Sequence, residues 1–213
     1  MTEELVHIPA DKALIEGELR VPTNSHGIIL FAHGSGSSRH SPRNNFVSRV
    51  LNNNGLATLL IDLLTTEEDR NYNTRFDIEL LTQRLVIATE WIRNQIQTSH
   101  LPIGYFGAST GAAAALKAAA MQTSVQAVVS RGGRPDLAGN DLGRVIAPVL
   151  LLVGGNDFGV IELNQDAFKL LHYTKKLILV PGATHLFEEA GTLEQVANHA
   201  ADWFRIYLDS AKF

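Results

Sequence analysis

Two kinds of hydrophobic pattern alternate along this chain. Near its start, Leu5–Ile8 and Ala13–Val21 interleave charged and apolar positions: Leu14, Glu16, Glu18 and Arg20 alternate with Ile15, Gly17 and Leu19. A period of two with one wet face predicts an antiparallel pair at the edge of a sheet. From Gly27 onward the strand-length runs lose the alternation and turn largely apolar: Gly27–His33, Ala57–Asp62, Ile103–Ala108, Val125–Ser130, Pro148–Gly154 and Lys175–Val180. Helix-period segments lie between and after them at Asn44–Asn54, Ile78–Gln97, an alanine-rich stretch reaching Met121, Glu162–Leu171 and Thr192–Leu208. Strands that are dry on both faces and alternate with helices predict a mostly parallel sheet covered on both sides. The expected fold is therefore α/β, as one domain over residues 1–213.

Sheets of this kind take ligands beyond the carboxyl ends of their strands, so the residues that follow each strand carry the information. They are His33-Gly34-Ser35-Gly36, Asp62, Ser109, Arg131-Gly132-Gly133-Arg134, Asp157 and His185. Ser109 sits in Gly107-Ala108-Ser109-Thr110-Gly111, a G-x-S-x-G pentapeptide between an apolar strand and a helix. A nucleophile thrust out on such a turn has a strained backbone that crowds the residues two before and two after it, and both are glycine here. A tight strand-to-helix turn capped by Ser109 or Thr110 would give the same five letters. The rest of the chain decides between the two. Asp157 and His185 follow later strands, in the order serine, acid, histidine that this architecture uses. Singly, the aspartate reads as a turn former and the histidine as a solvated loop residue. Jointly they read as a base and its orienter for Ser109. The backbone N–H groups of Thr110 and Ser35 are the expected oxyanion donors. A dinucleotide site is a poor rival, because the glycine spacing is not G-x-G-x-x-G and no acid ends the next strand.

Composition narrows the partners. The chain has 45% apolar and 19% charged residues, a net charge of −4 and no cysteine. That balance provides no basic field for nucleic acid and excludes thiol chemistry. No metal-ligand spacing stands out, so neither metal nor cofactor is expected. The first residues lack a basic segment followed by an apolar run, and the longest apolar stretches are strand-length. The expectation is a cytoplasmic protein with no membrane partner. Two arginine-bearing loops emerge on the catalytic edge. Arg131, with Arg43 or Arg39, is a candidate for binding a substrate carboxylate or phosphate; the alternative is that these arginines pair with Asp62, Asp136 or Glu67 and fix loops. Tyr72, Phe76, Phe158 and Phe187 could line an acyl pocket or belong to the core. Arg131–Ala147 is too short to hold an inserted cap, which predicts a shallow, open site.

On His33–Gly36, Gly107–Gly111, Gly155–Val160 and Gly182–His185 the chain resembles the α/β-hydrolase superfamily over nearly its whole length, and most closely its small, uncapped dienelactone hydrolase-like branch. The resemblance implies Ser109 as nucleophile, His185 as general base and acid, Asp157 as its orienter, and Ser35 and Thr110 as oxyanion donors. Dienelactone hydrolases proper carry cysteine where Ser109 stands, so ordinary ester or lactone hydrolysis is the implied reaction, with a small-molecule substrate. Acyl transfer to another acceptor, or ligand binding without turnover, are the alternatives on the same fold.

Overall fold

The computed structural model describes residues 1–208; positions 209–213, the end of the expected domain, lie outside the described residues. The alternating N-terminal segments form β1 (Thr2–Ala10) and β2 (Ala13–Val21), paired antiparallel from Thr2↔Val21 to Ala10↔Ala13. The fully apolar runs become β3 (Ile28–Ala32), β4 (Ala57–Ile61), β5 (Ile103–Ala108), β6 (Val125–Arg131), β7 (Val149–Gly154) and β8 (Lys175–Val180). They make one eight-stranded sheet in the order β1-β2-β4-β3-β5-β6-β7-β8. β2 joins β4 antiparallel, and every pairing from β4 to β8 is parallel. β5 therefore lies near the middle of the sheet, and its carboxyl end, where Ser109 follows, is supported from both sides.

Alternate residues of the central strands serve two cores. Ile28, Leu30 and Ala32 face one cluster with Leu81, Leu85, Ala88 and Ile92 of α3 (Ile78–Arg93) and Ala114–Ala120 of α4 (Thr110–Met121). Ile29 and Phe31 face the other, with Val47 and Leu51 of α1 (Pro42–Asn53) and Val196, Ala200 and Phe204 of α6 (Thr192–Leu208). Its run of alanines lets α4 lie close against its neighbours, with Ala112–Ala115 and Leu116 fully buried.

Two boundaries and one short element differ from the sequence reading. The helix expected over Ile78–Gln97 stops at Arg93, where Asn94 caps it and the Thr98 hydroxyl donates to Ile92 O at 2.7 Å. α5 (Phe158–Leu170) begins at Phe158 rather than near Glu162, with Asp157 in its N-cap position. The short α2 (Thr66–Asp69) was not expected; a capping box holds it, with Thr65 Oγ1 accepting from Glu68 N–H and Glu68 accepting from Thr65 N–H. β8 is less buried than its apolar letters suggest, because it pairs only with β7 and forms an edge. Between β6 and β7 the chain makes only a 3₁₀ segment over Pro135–Arg144, so no cap covers the carboxyl ends of the strands.

Candidate active site

Ser109 leaves β5 with φ +51° and ψ −120°, a left-handed conformation that costs a non-glycine residue of order 1–3 kcal/mol. The turn is tight enough to dictate its neighbours. A Cβ on Gly107 would lie 2.4 Å from the Ala112 Cα, and one on Gly111 would lie 2.2 Å from the carbonyl oxygen of Ala32. Backbone bonds hold the serine from three directions. Its N–H donates to Arg131 O at 3.2 Å, and its carbonyl accepts from Ala112 N–H at 3.1 Å and Arg134 N–H at 3.0 Å. Ser109 occupies the N-cap position of α4, yet its hydroxyl makes no capping bond. The capping alternative for this serine is therefore not what the side chain does.

Asp157 follows β7 in the N-cap position of α5 and also declines to cap with its side chain. Its Oδ2 instead lies 2.7 Å from Nδ1 of His185. That bond fixes the tautomer, with the proton on Nδ1, and leaves Nε2 as the free nitrogen. The two loops are also laced by backbone: Asn156 N–H donates to Ala183 O at 2.9 Å and its side chain to Gly182 O at 3.1 Å. The imidazole stands over the end of β6, where a Cβ on Gly132 would come within 3.6 Å of His185 Cε1. Gly132 directly follows Arg131, whose carbonyl holds Ser109. The Ser109 backbone and the imidazole thus flank the same strand end, and among the described residues the His185 ring bonds Asp157 and not the Ser109 hydroxyl.

Some residues that sequence reasoning missed hold this histidine. Glu189 accepts from Thr184 N–H at 3.1 Å and from the Thr184 hydroxyl at 2.6 Å, bonds that lower the Glu189 pKa below the usual carboxylate range. Phe187, taken from the sequence as a possible pocket aromatic, is a core residue at 2% exposure and anchors the loop from below. Phe158 and Leu186, next to Asp157 and His185, remain exposed and form an apolar rim. Tyr72 and Phe76 stack at 4.9 Å on the surface segment after α2.

The loop after β3 closes the other side. A Cβ on Gly34 would sit 3.0 Å from Ser109 Cβ, so this backbone lies directly against the serine. Ser35 N–H donates to Thr110 Oγ1 at 2.9 Å, which ties the two residues expected as oxyanion donors to each other. Beneath the loop, Leu63 N–H donates to His33 Nε2 at 3.1 Å and His33 Nδ1 donates to Gly34 O at 2.9 Å. Burial drives the His33 pKa below its ordinary value and keeps the ring neutral.

The arginines divide. Arg39 pairs with Asp62 and with Glu16, and Arg134 is bidentate on Asp136. Both fix loops. Arg43, at the start of α1, makes an outer contact to Glu188 at 3.1 Å. Arg131 is buried and, among the described residues, its side chain finds only Asn44 Oδ1, at 3.4 Å. A polar cleft of about 790 Å³ opens elsewhere, between the β1–β2 hairpin and α2, lined by Glu16, Arg39, Asp62, Thr65 and Glu68. Among the described residues no group of three or more potential ligands gathers to hold a metal ion, and no helix is long and apolar enough to cross a membrane.

Comparison with known proteins agrees with this geometry at the level of family. Residues 15–209 match the dienelactone hydrolase family. A dienelactone hydrolase of known crystal structure from Anabaena variabilis is 54% identical, with a TM-score of 0.95 over 97% of this chain and 98% of that one. A lidless α/β serine hydrolase from Xanthomonas campestris shares the fold at 18% identity, with a TM-score of 0.79 over 96% of this chain and 94% of that one. A Mycobacterium tuberculosis protein that bears a phosphoribosyl transferase name is 58% identical over 209 residues, 98% of this chain but 47% of its own length. This chain thus spans about half of that curated relative. By its sequence, its sheet order and its uncapped strand ends, the chain belongs to the dienelactone hydrolase family of α/β hydrolases.

Proposed function

We propose that the protein is a serine hydrolase of small carboxylic esters or lactones, working through Ser109, His185 and Asp157. The observation that carries this reading is the choice made by Asp157. Placed where its carboxylate could cap α5, it bonds His185 instead, at 2.7 Å. His185 Nε2 takes the Ser109 proton as the hydroxyl oxygen attacks the ester carbonyl, and the alcohol leaves with that proton. The Thr110 N–H, free of any intrahelical partner in the first turn of α4, points toward the developing oxyanion. Ser35 N–H joins it by exchanging the Thr110 hydroxyl for the oxyanion. Water activated by His185 then hydrolyses the acyl-enzyme. Asp157 holds the imidazole and stabilises its charged form. With no cap, the site suits short or exposed acyl groups resting on Phe158, and needs no cofactor.

The phosphoribosyl transferase name belongs to a relative about twice as long as the matched region.

Labelling with a fluorophosphonate, alongside turnover of 4-nitrophenyl acetate, tests the reading. The wild-type protein should do both, and Ser109→Ala should do neither. A wild-type protein that neither labels nor turns over ester is a binder on a hydrolase fold. Acyl transfer to an added alcohol in preference to water would move the reaction to a transferase.

A further inference from the structure

Among the described residues, Arg131 is a site residue whose charge meets no carboxylate. It ends β6, in register with Ala108 and so beside the nucleophile. Only 7% of it is exposed. Its Nε–H is buried with no acceptor, and Nη2 reaches Asn44 Oδ1 only at 3.4 Å. A second guanidinium stands close by. Arg43 also has a buried Nε–H without an acceptor, and its Nη1 meets the exposed Glu188. Together, burial and the Arg43 charge push the Arg131 pKa down to about 10. Arg43 lies in the first turn of α1, and Arg131 reaches Asn44 of the same turn, which contains no acid; Ser41 caps the helix by accepting from Asn44 N–H. Elsewhere this chain pairs its buried arginines, as Arg84 with Glu68 and Arg20 with Glu18. A buried cation without a counter-ion is costly and is retained where a ligand supplies the missing charge.

We propose that Arg131 and Arg43, side by side at the start of α1, form a subsite for a phosphate group carried by the substrate. Two neighbouring guanidiniums match a doubly charged, multiply accepting group better than a single carboxylate. The rim pair with Glu188 opens to admit it. The inference deepens the hydrolase reading by naming a phosphate-bearing ester as the substrate class, but the binding subsite can be tested separately from turnover.

Titration with inorganic phosphate by calorimetry on Ser109→Ala reads the subsite without chemistry. Phosphate should bind, acetate at the same concentration should bind at least tenfold more weakly, and Arg131→Met should weaken phosphate by about tenfold or more. Because Arg131→Met could disturb the fold, Arg43→Ala, on the rim, is the second variant and should weaken phosphate severalfold. Arg205→Ala, on the exposed face of α6, should leave it unchanged. Absence of phosphate binding, equal binding of acetate, or affinity indifferent to both Arg131 and Arg43 overturns the proposal. On the wild-type enzyme, the acetyl ester of glycerol 3-phosphate should exceed acetyl glycerol in kcat/KM by about tenfold. Arg131→Met and Arg43→Ala should each reduce that preference. A protein that binds phosphate but cleaves neither ester retains the subsite and loses the hydrolase reading. One that cleaves both esters equally, with no phosphate binding, does the reverse.

Discussion

The cleft beside the β1–β2 hairpin and the rim around Ser109 use similar residues to opposite ends. The cleft has the volume, about 790 Å³, but its charges answer one another: Arg39 is held by Asp62 and Glu16, and Glu68 by Arg84 and the Thr65 N–H. The rim, which no cap covers, keeps its groups uncommitted. Ser109 is strained and does not cap, His185 keeps Nε2 free, and Arg131 has no carboxylate. Charges that neutralise each other within the chain stabilise the fold. Groups held at an energetic cost with a valence left open are those a ligand or a reaction can use. On that contrast, room alone does not locate chemistry in this protein.

The contrast breaks most easily at its reactive end. Ser109→Ala should lower kcat by roughly 10⁴–10⁶ while the thermal unfolding midpoint stays the same or rises, since alanine keeps the backbone but loses the proposed nucleophile. Near-normal turnover in that variant would place the chemistry elsewhere. Next in size is Gly111→Ala. Its Cβ would sit 2.2 Å from a β3 carbonyl, and backbone cannot yield as a flexible side chain can. The expected cost is about 3 kcal/mol or more in urea unfolding, with activity lost alongside stability. A stable, active variant would mean that the elbow is looser than its geometry. On the cleft side the pattern should invert. Asp62→Asn leaves Arg39 with only Glu16 as a counter-charge and should cost roughly 1–3 kcal/mol of stability, with kcat/KM changed less than about twofold. A large loss of kcat/KM there, at unchanged stability, would make the cleft part of the substrate site.

How much of this was legible beforehand follows from which forces wrote it. The sheet was readable because fully buried strands must be apolar on both faces, as Ile28–Ala32 and Ile103–Ala108 are. The elbow was readable because sterics at Gly107 and Gly111 admit one residue type. α2 left a capping-box signal in Thr65-Thr66-Glu67-Glu68 that its brevity and lack of an apolar stripe concealed. The start of α5 was hidden because Gly159 and the β-branched Val160 and Ile161 argue against a helix, while Asp157, the visible cap, gives its side chain to His185. The arginines could not be sorted at all from sequence. Arg39, Arg131 and Arg134 all follow strands, and whether each meets a carboxylate depends on non-local register and on which face of the sheet the side chain takes. The same limit hid Glu189 as the clamp on the His185 loop.

His33 lies where cleft and rim meet, and it gives the finest test of whether they are coupled. Its ring accepts from Leu63 N–H at the end of β4 and donates to Gly34 O, the residue packed against Ser109. Both bonds need the neutral ring, since a protonated Nε2 cannot accept. Burial holds its folded pKa below the ordinary value of 6.5, so below that pH the unfolded chain takes up a proton that the folded one refuses. The stabilisation is therefore complete above pH 6.5 and is lost as pH falls toward the folded value, by at most about 1.4 kcal/mol per pH unit. His33→Gln can still donate and accept but does not titrate. Between pH 7.5 and 5.5 the wild type should lose about 1 kcal/mol more unfolding free energy than this variant. Equal losses would mean that His33 protonates in place at little cost. If the wild type also loses esterase activity at a higher pH than His33→Gln does, the oxyanion loop and the β4 end move as one unit, and the silent cleft is mechanically tied to the rim it does not otherwise serve.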